Sequence, residues 1–244
     1  MDNVSLLSLS YQLAAYRSMD VIANNIANIN TPGFKRESVK FEQVLQQMKP
    51  GEDQKGTQTI SFVRDAGVLR DISGGRLEQT GAPFDMAING PGYFVVQTPQ
   101  GERYTRNGHF TLNGDGTIVT ESGDQLQGEG GAITISTDDG DINFGPDGTI
   151  SGKQGQIGKL RLVDFAYPRA LQKEGDSLYA ASQPANPAAN AVLSQGMLES
   201  SNVQPVVEIS RMIEVMRSYE ATSSLEKSDS DMKRQAIQKL ATVQ

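Results

Sequence analysis

The sequence predicts a mixed fold, with an α-helix at each end and a β-rich region between them. Three observations carry this. Apolar residues recur at helical spacing through roughly the first 30 positions, and do so again through roughly the last 40. From Gly56 to about Leu193, short β-branched and aromatic runs alternate instead with Gly, Asn and Asp pairs, which is the grammar of strands and tight turns. Helices that flank a sheet domain in this way are expected to lie side by side, in the manner of a subunit that assembles.

The first helix rests on Val4, Leu7, Tyr11, Ala15, Met19, Ile22, Ile26 and Ile29, a mean step of about 3.6 residues. Thr31-Pro32-Gly33 stops it, because proline disfavours a helical residue before it and glycine permits a sharp turn.

In the middle region the expected strands are Gln58–Val63, Asp85–Ile88, Tyr93–Gln97, Gly108–Leu112, Thr117–Thr120, Ile133–Ser136 and Ile157–Phe165. Asn113-Gly114-Asp115-Gly116 between two such runs is a strong hairpin signal. Gly145-Pro146-Asp147-Gly148 repeats it, followed again by Thr-Ile, and shared turn chemistry explains the likeness better than a repeat architecture. Gln183–Asn190, rich in Pro, Ala and Asn, reads as a linker leaving the β region.

The last helix opens at Pro205, with Glu208 near its positive end, and keeps a broken stripe of Ile209, Met212, Ile213, Met216, Tyr219, Leu225, Met232, Ile237, Leu240 and Val243. The stripe weakens at Glu226-Lys227-Ser228-Asp229-Ser230-Asp231, which is polar on most faces.

Composition narrows the function. With 244 residues and 37% hydrophobic side chains, a real core is available. A net charge of −7 argues against nucleic acid, since the phosphate backbone would repel such a surface. From Asn107 to Gly152 there are eight acids and no Lys or Arg, which reads as a solvated β face with its turns. The absence of Cys removes disulfides, thiolate metal sites and thiol nucleophiles. No apolar run is long enough to span a bilayer, and the N-terminus lacks the basic start and apolar run of a cleaved signal peptide.

Chemistry-bearing motifs fail one by one. His109 is the only histidine, so no two-histidine metal site exists. Asp139-Gly140-Asp141-Ile142-Asn143 begins like a calcium loop, but puts Phe144 where glycine belongs and Ile150 where the bidentate Glu belongs. Gly148–Lys153 falls one residue short of a phosphate-binding loop, and Gly128-Glu129-Gly130-Gly131 opens no helix. Ser224-Leu225-Glu226-Lys227 has the spacing of a serine–lysine nucleophile, yet sits deep in a helix without companion motifs. No catalytic, cofactor-binding or metal-binding residues are expected, and no small-molecule substrate.

Three stretches are specific. Asp20–Asn28 with Asn30-Thr31-Pro32-Gly33-Phe34-Lys35 resembles the N-terminal signature of the bacterial flagellar axial proteins, the rod, hook and hook-associated subunits. The likeness continues through Phe84–Gln97 and Tyr104-Thr105-Arg106-Asn107-Gly108-His109-Phe110. It resumes at Gly196–Val203, Met212-Ile213 and Arg217-Ser218-Tyr219-Glu220. Chain length points to the rod subunits that carry a β domain, and the start Met1-Asp2-Asn3, the stretches Ser61–Asp65 and Gly75–Gly81 and the modest length resemble the proximal type ahead of the distal.

That resemblance implies a fold in which the terminal helices pair as a coiled coil near an axis. The implied division is 1–33 for the N-terminal helix, 34–80 for a connecting segment, 81–195 for a β-rich outer domain and 196–244 for the C-terminal helix. It implies a structural subunit that stacks helically into a torque-transmitting rod with an export channel, in the basal body crossing the periplasm. The implied partners are further copies of itself, other rod proteins and the flagellar type III export apparatus, with no cleaved signal and no membrane insertion. The assembly interface is expected at Leu7, Tyr11, Ile22, Asn24, Asn25, Ile26, Asn28, Ile209, Ile213, Met216 and Tyr219. Leu7, Tyr11, Ile22 and Ile26 would pack on Ile209, Ile213, Met216 and Tyr219. Glu226, Ser228 and Ser230 would line the channel. A secreted β-rich adhesin with coiled-coil ends is the rival from another class. A carbohydrate-active enzyme would need paired carboxylates held across a cleft, whereas the acids here fall mostly in turns.

Overall fold

A computed structural model describes residues 3–48 and 58–241. It divides into two compact units, one of residues 1–27, 37–70 and 204–244, the other of residues 28–36 and 71–203. Val243, placed on the C-terminal stripe above, lies outside the described residues.

The first unit holds α1 (Asn3–Ala27), β1 (Glu37–Met48), β2 (Gln58–Arg70) and α2 (Pro205–Ala241). The expected helices are both present, and α2 at 37 residues is about 55 Å long at roughly 1.5 Å per residue. The stretch 34–80, expected as a connecting segment, is instead mostly a hairpin. β1 and β2 pair antiparallel from Glu37↔Arg70 to Met48↔Gln58, and the hairpin belongs with the helices. Gln58–Val63 was legible as strand, whereas Glu37–Met48 is too rich in Glu, Gln and Lys to read as one. It is held by pairing with β2, which Arg17 of α1 reaches at Asp65 (3.2 Å), and by Asn25 of α1, which bonds the Glu37 backbone. A two-stranded ribbon alone is marginal in water, so the helices must support it.

In the second unit, strand Tyr93–Thr98 is central. It pairs with Gly101–Thr105, Gln125–Gly128 and Leu162–Asp164 in a ten-stranded sheet. Alternate side chains of a strand point to opposite faces. Phe94 and Val96 enter one core with Met86, Phe110, Ile118, Leu126 and Ile150. Tyr93 and Val95 enter a second with Tyr104, Val163, Phe165 and Tyr179. A strand buried on both faces reads as an unbroken apolar run, which is why Tyr-Phe-Val-Val stood out in the sequence.

The two turns singled out above are geometrically alike. Asn113 N–H donates to Thr117 O (3.0 Å) and Gly116 N–H to Asn113 O (3.0 Å). Gly145 N–H donates to Thr149 O (2.7 Å) and Gly148 N–H to Gly145 O (2.9 Å). Gly116 and Gly148 take φ of 77° and 84°, the left-handed position of a three-residue hairpin loop.

Three expectations are corrected. Ile133–Ser136 is not a strand and makes a single bridge, Thr117↔Thr134, although Ile133 and Ile135 are buried in the first core. Ser136 instead caps a 3-10 turn through its bond from Asp138 N–H, with the Asp139 carboxylate accepting from Ser136 N–H. Ile157–Phe165 divides into Gly155–Lys159 and Leu162–Asp164, which join different sheets across a break at Leu160 and Arg161. Gln183–Asn190 is not a linker, because Asn186–Pro187 pairs with Val163–Asp164 on the sheet.

One turn is strained. Asp176 and Ser177 both have positive φ (57° and 59°) between Gly175 and Leu178, whose N–H donates to Gly175 O at 3.1 Å. This turn favours Asn-Gly. Replacing Asp176 by Asn and Ser177 by Gly is expected to stabilise this unit by about 1 kcal/mol, raising its midpoint by roughly 2–4 °C. A thermal scan showing no rise would remove the strain argument.

Candidate assembly interface

In the first unit, α1 meets α2 through named contacts. The rings of Tyr16 and Tyr219 sit edge to face at 5.2 Å, and Gln12 Nε2 donates to Glu226 Oε2 at 2.9 Å. Further along, Asn25 forms a node that joins three elements. Its Oδ1 accepts from Glu37 N–H (3.0 Å), and its Nδ2 donates to Glu37 O (2.7 Å) and to Glu208 Oε2 (3.0 Å). Glu208 is buried, and its other oxygen accepts from Arg211 Nη1 at 2.9 Å. A buried charge must be compensated in this way. The sequence assigned Glu208 only to the positive end of α2, and did not foresee its burial.

The residues expected at the interface fall into two groups. Ile22 and Asn25 are buried inside the unit, and Leu7, Ile26 and Tyr219 are half-buried. Tyr11 is about half exposed, and Ile209, Ile213 and Met216 are 49%, 46% and 47% exposed. Asn24 is exposed, and Asn28 is half-buried in the β-rich unit. Ile209, Ile213 and Met216, with Val206 a turn before them, share one face of α2, while Leu9 and Leu13 are exposed on α1. In the polar stretch, Glu226 and Ser228 are exposed and Ser230 is half-buried.

The β-rich unit contains an ion cluster that the sequence did not announce. Lys35 Nζ donates to Glu199 Oε1 at 2.5 Å and to Ser73 O at 2.7 Å. Gly75 N–H donates to the same Glu199 oxygen at 2.8 Å, and Arg106 Nη1 lies 3.5 Å from the other. All three charged side chains are at least nine-tenths buried. Burial pushes the Lys35 ammonium below the usual lysine range, against the opposing pull of Glu199.

Around the cluster one part of each of the three specific sequence stretches converges, namely Gly33–Lys35, Arg106 and Glu199–Asn202. Gly33 N–H donates to Glu199 O at 2.6 Å. Gly33 takes φ of 69°, and a Cβ there would sit 2.4 Å from the Arg106 carbonyl carbon, so no larger residue fits. Asn202 Oδ1 accepts from Arg36 N–H (2.7 Å), and its Nδ2 donates to the carbonyls of Asp71 and Ser73 (both 3.1 Å). Lys173 Nζ stands 4.3 Å over the Phe34 ring. The signal was present, in that Lys35, Arg106 and Glu199 all lie in the stretches quoted for the resemblance. Their partnership was not legible, because charged residues are ordinarily exposed and these lie up to 164 positions apart. His109 Nδ1 meets the buried Asp85 carboxylate at 2.7 Å and reads as a local tie.

Among the described residues no helix is long and apolar enough to cross a membrane. Known families account for much of the chain. Residues 13–35 match the flagella basal body rod protein family, 87–152 the flagellar hook protein FlgE/F/G D1 domain, and 194–239 the flagellar basal body rod FlgEFG protein C-terminal family. A flagellar basal-body rod protein FlgF from Caulobacter vibrioides is 39% identical over all of both chains. A second FlgF, from Mesorhizobium japonicum, is 32% identical over 97% of each. A flagellar basal-body rod protein FlgG from Bacillus subtilis is 36% identical over 85% of this chain and 87% of its own. These relatives give no support to a secreted adhesin. Since the likeness runs the full length of the chain at this identity, and covers both helices as well as the sheet, the chain belongs to the flagellar basal-body rod protein family and is a structural subunit of that rod.

Proposed function

We propose that the chain polymerises as a proximal-rod subunit, with α1 and α2 paired as a coiled coil and the exposed apolar face of α2 covered by neighbouring subunits. The observation that carries this is the half-exposed row of Ile209, Ile213 and Met216. Fully burying such a side chain contributes about 1.5–3 kcal/mol, so about half of that remains available at each position. Adjacent copies or other rod proteins can supply the cover. A contact between two different faces of like subunits does not close on itself, and so builds a helical shaft able to transmit torque. Assignment to the proximal section draws support from the FlgF relative that aligns over the whole of both chains, where the FlgG relative aligns over less.

The stretch Glu226–Asp231 is assigned to the export channel. Its side chains are small or charged where a buried stripe needs apolar ones, and a hydrated wall does not retain translocating hydrophobic segments. The chain itself travels through the type III export apparatus as an unfolded polypeptide. The axial contacts are made by the helices.

The chain has no cysteine, so single cysteines report on both assignments. Ile213→Cys is expected to react with a maleimide in the purified chain and to be protected at least tenfold in isolated basal bodies. Ser228→Cys is expected to stay reactive towards a small reagent in both. Equal labelling of Ile213→Cys in both states would remove the assembly face, and protection of Ser228→Cys would remove the channel assignment.

A further inference from the structure

We propose that the exposed row on α2 is covered, in the rod, by a second apolar patch on the same helix of another copy. Ile209 of one copy seats on Leu225 of the next, and Met216 on Met232. The pairing rests on the rod reading above, and adds which surface meets the row and how far neighbouring copies are displaced along the helix.

The first observation is that α2 carries two uncovered apolar patches. Its covered stripe is Glu208, Met212, Val215 and Tyr219, the first and last of which contact Asn25 and Tyr16 of α1. At about 100° per residue, the row of Ile209, Ile213 and Met216 lies roughly 100° to one side of that stripe. Leu225 and Met232 lie roughly 120° to the other side, and they are 61% and 63% exposed. From Ala221 onward, the other described side chains exposed on α2 are polar or alanine. A single exposed leucine is ordinary, whereas two large apolar side chains two turns apart on one face of a polar segment form a patch.

The second observation is that the two patches match in spacing. Ile209 and Met216 are seven positions apart, and so are Leu225 and Met232. One displacement of sixteen positions therefore brings both pairs into register at once, which is about 24 Å along parallel helices. Sixteen positions is also about 160° of turn, so the patches look out on opposite flanks and one copy can engage two neighbours. A contact between different patches of like subunits continues without closing, as a shaft requires. A patch that met its own counterpart would close a dimer instead. Ser228 falls on the face between the two flanks, at about 190° from the covered stripe, so the pairing leaves it open for the channel.

The chain has no cysteine of its own, so paired cysteines test the register. Ile209→Cys is combined with Leu225→Cys, and separately Met216→Cys with Met232→Cys, in the full-length chain. Within one chain each pair is about 24 Å apart, far beyond the roughly 7 Å between Cα atoms that a disulfide spans, so any disulfide joins two copies. Mild oxidation of isolated basal bodies is expected to give disulfide-linked multimers on non-reducing gels for both pairs. Ile209→Cys with Met232→Cys is seven positions out of register and is expected to give about a tenth as much. Leu225→Asp is expected to stop rod assembly while the purified chain keeps its melting curve, since the position is exposed. Chains present in basal bodies without multimers, or with equal multimers from the mismatched pair, overturn the pairing and leave the rod reading standing. Normal motility in Leu225→Asp overturns it as well, even where the cysteine pairs hinder assembly. Absence of the cysteine-free chain from basal bodies would overturn the rod reading itself, and the pairing with it.

Discussion

Glu199→Ala is expected to cost the β-rich unit about 3–5 kcal/mol, the penalty for breaking a buried ion pair by removing one partner. The magnitude follows from what is left behind. Lys35 and Arg106 stay buried at the same site, the Gly75 N–H loses its acceptor, and no other carboxylate in contact replaces Glu199. Against a total stability of about 5–15 kcal/mol, that loss is large, and at roughly 2–4 °C per kcal/mol it lowers the midpoint by about 10 °C. Circular dichroism melting of the purified variant checks it. The pair also predicts non-additivity, since Lys35→Met combined with Glu199→Gln removes both charges and is expected to cost less than Glu199→Gln alone. Additive losses would mean that the two side chains do not act as a pair. Lys35 has a definite pH sign as well. Its pKa is lowered by folding, so the unfolded chain holds that proton more tightly. Its contribution to stability therefore rises as pH climbs from the lowered value towards the ordinary lysine range.

Ile213→Asp is expected to abolish rod assembly and motility while leaving the purified chain folded. At 46% exposure the new carboxylate remains in water in the isolated subunit, where surface changes usually stay within about 0.5 kcal/mol. Under a neighbour it becomes a buried unpaired charge, which costs several kcal/mol. Ile22→Asp acts differently. Ile22 is buried within the helix-containing unit itself, so that variant is expected to lose folded structure before assembly is attempted. Motility assays with electron microscopy of basal bodies, beside circular dichroism of each purified variant, separate the two. Normal motility in Ile213→Asp would sink the assigned face.

The contrast between those two isoleucines marks the boundary between what was readable in the chain and what was not. Both sit on helical stripes, and periodicity assigns each to an apolar face. Only the folded unit decides that Ile22 is covered from within and that Ile213 is not. The same holds for the hairpin of 37–70, whose first strand is polar enough to read as a connection and becomes regular through its partner strand and α1.

What the sequence determined by itself was local. The two helices, the Tyr93–Thr98 strand and the paired hairpin turns follow from period, propensity and the need for glycine at positive φ, all set within a few residues. The family was legible for a related reason, because its quoted stretches are contiguous. What only tertiary structure decided was how charges far apart in the chain would be partnered. Asn25 meets Glu208, and Glu199 meets both Lys35 and Arg106, across separations of 183, 164 and 93 positions. A buried charge is stable only where its partners converge in space, and that convergence leaves no periodic trace in the order of residues.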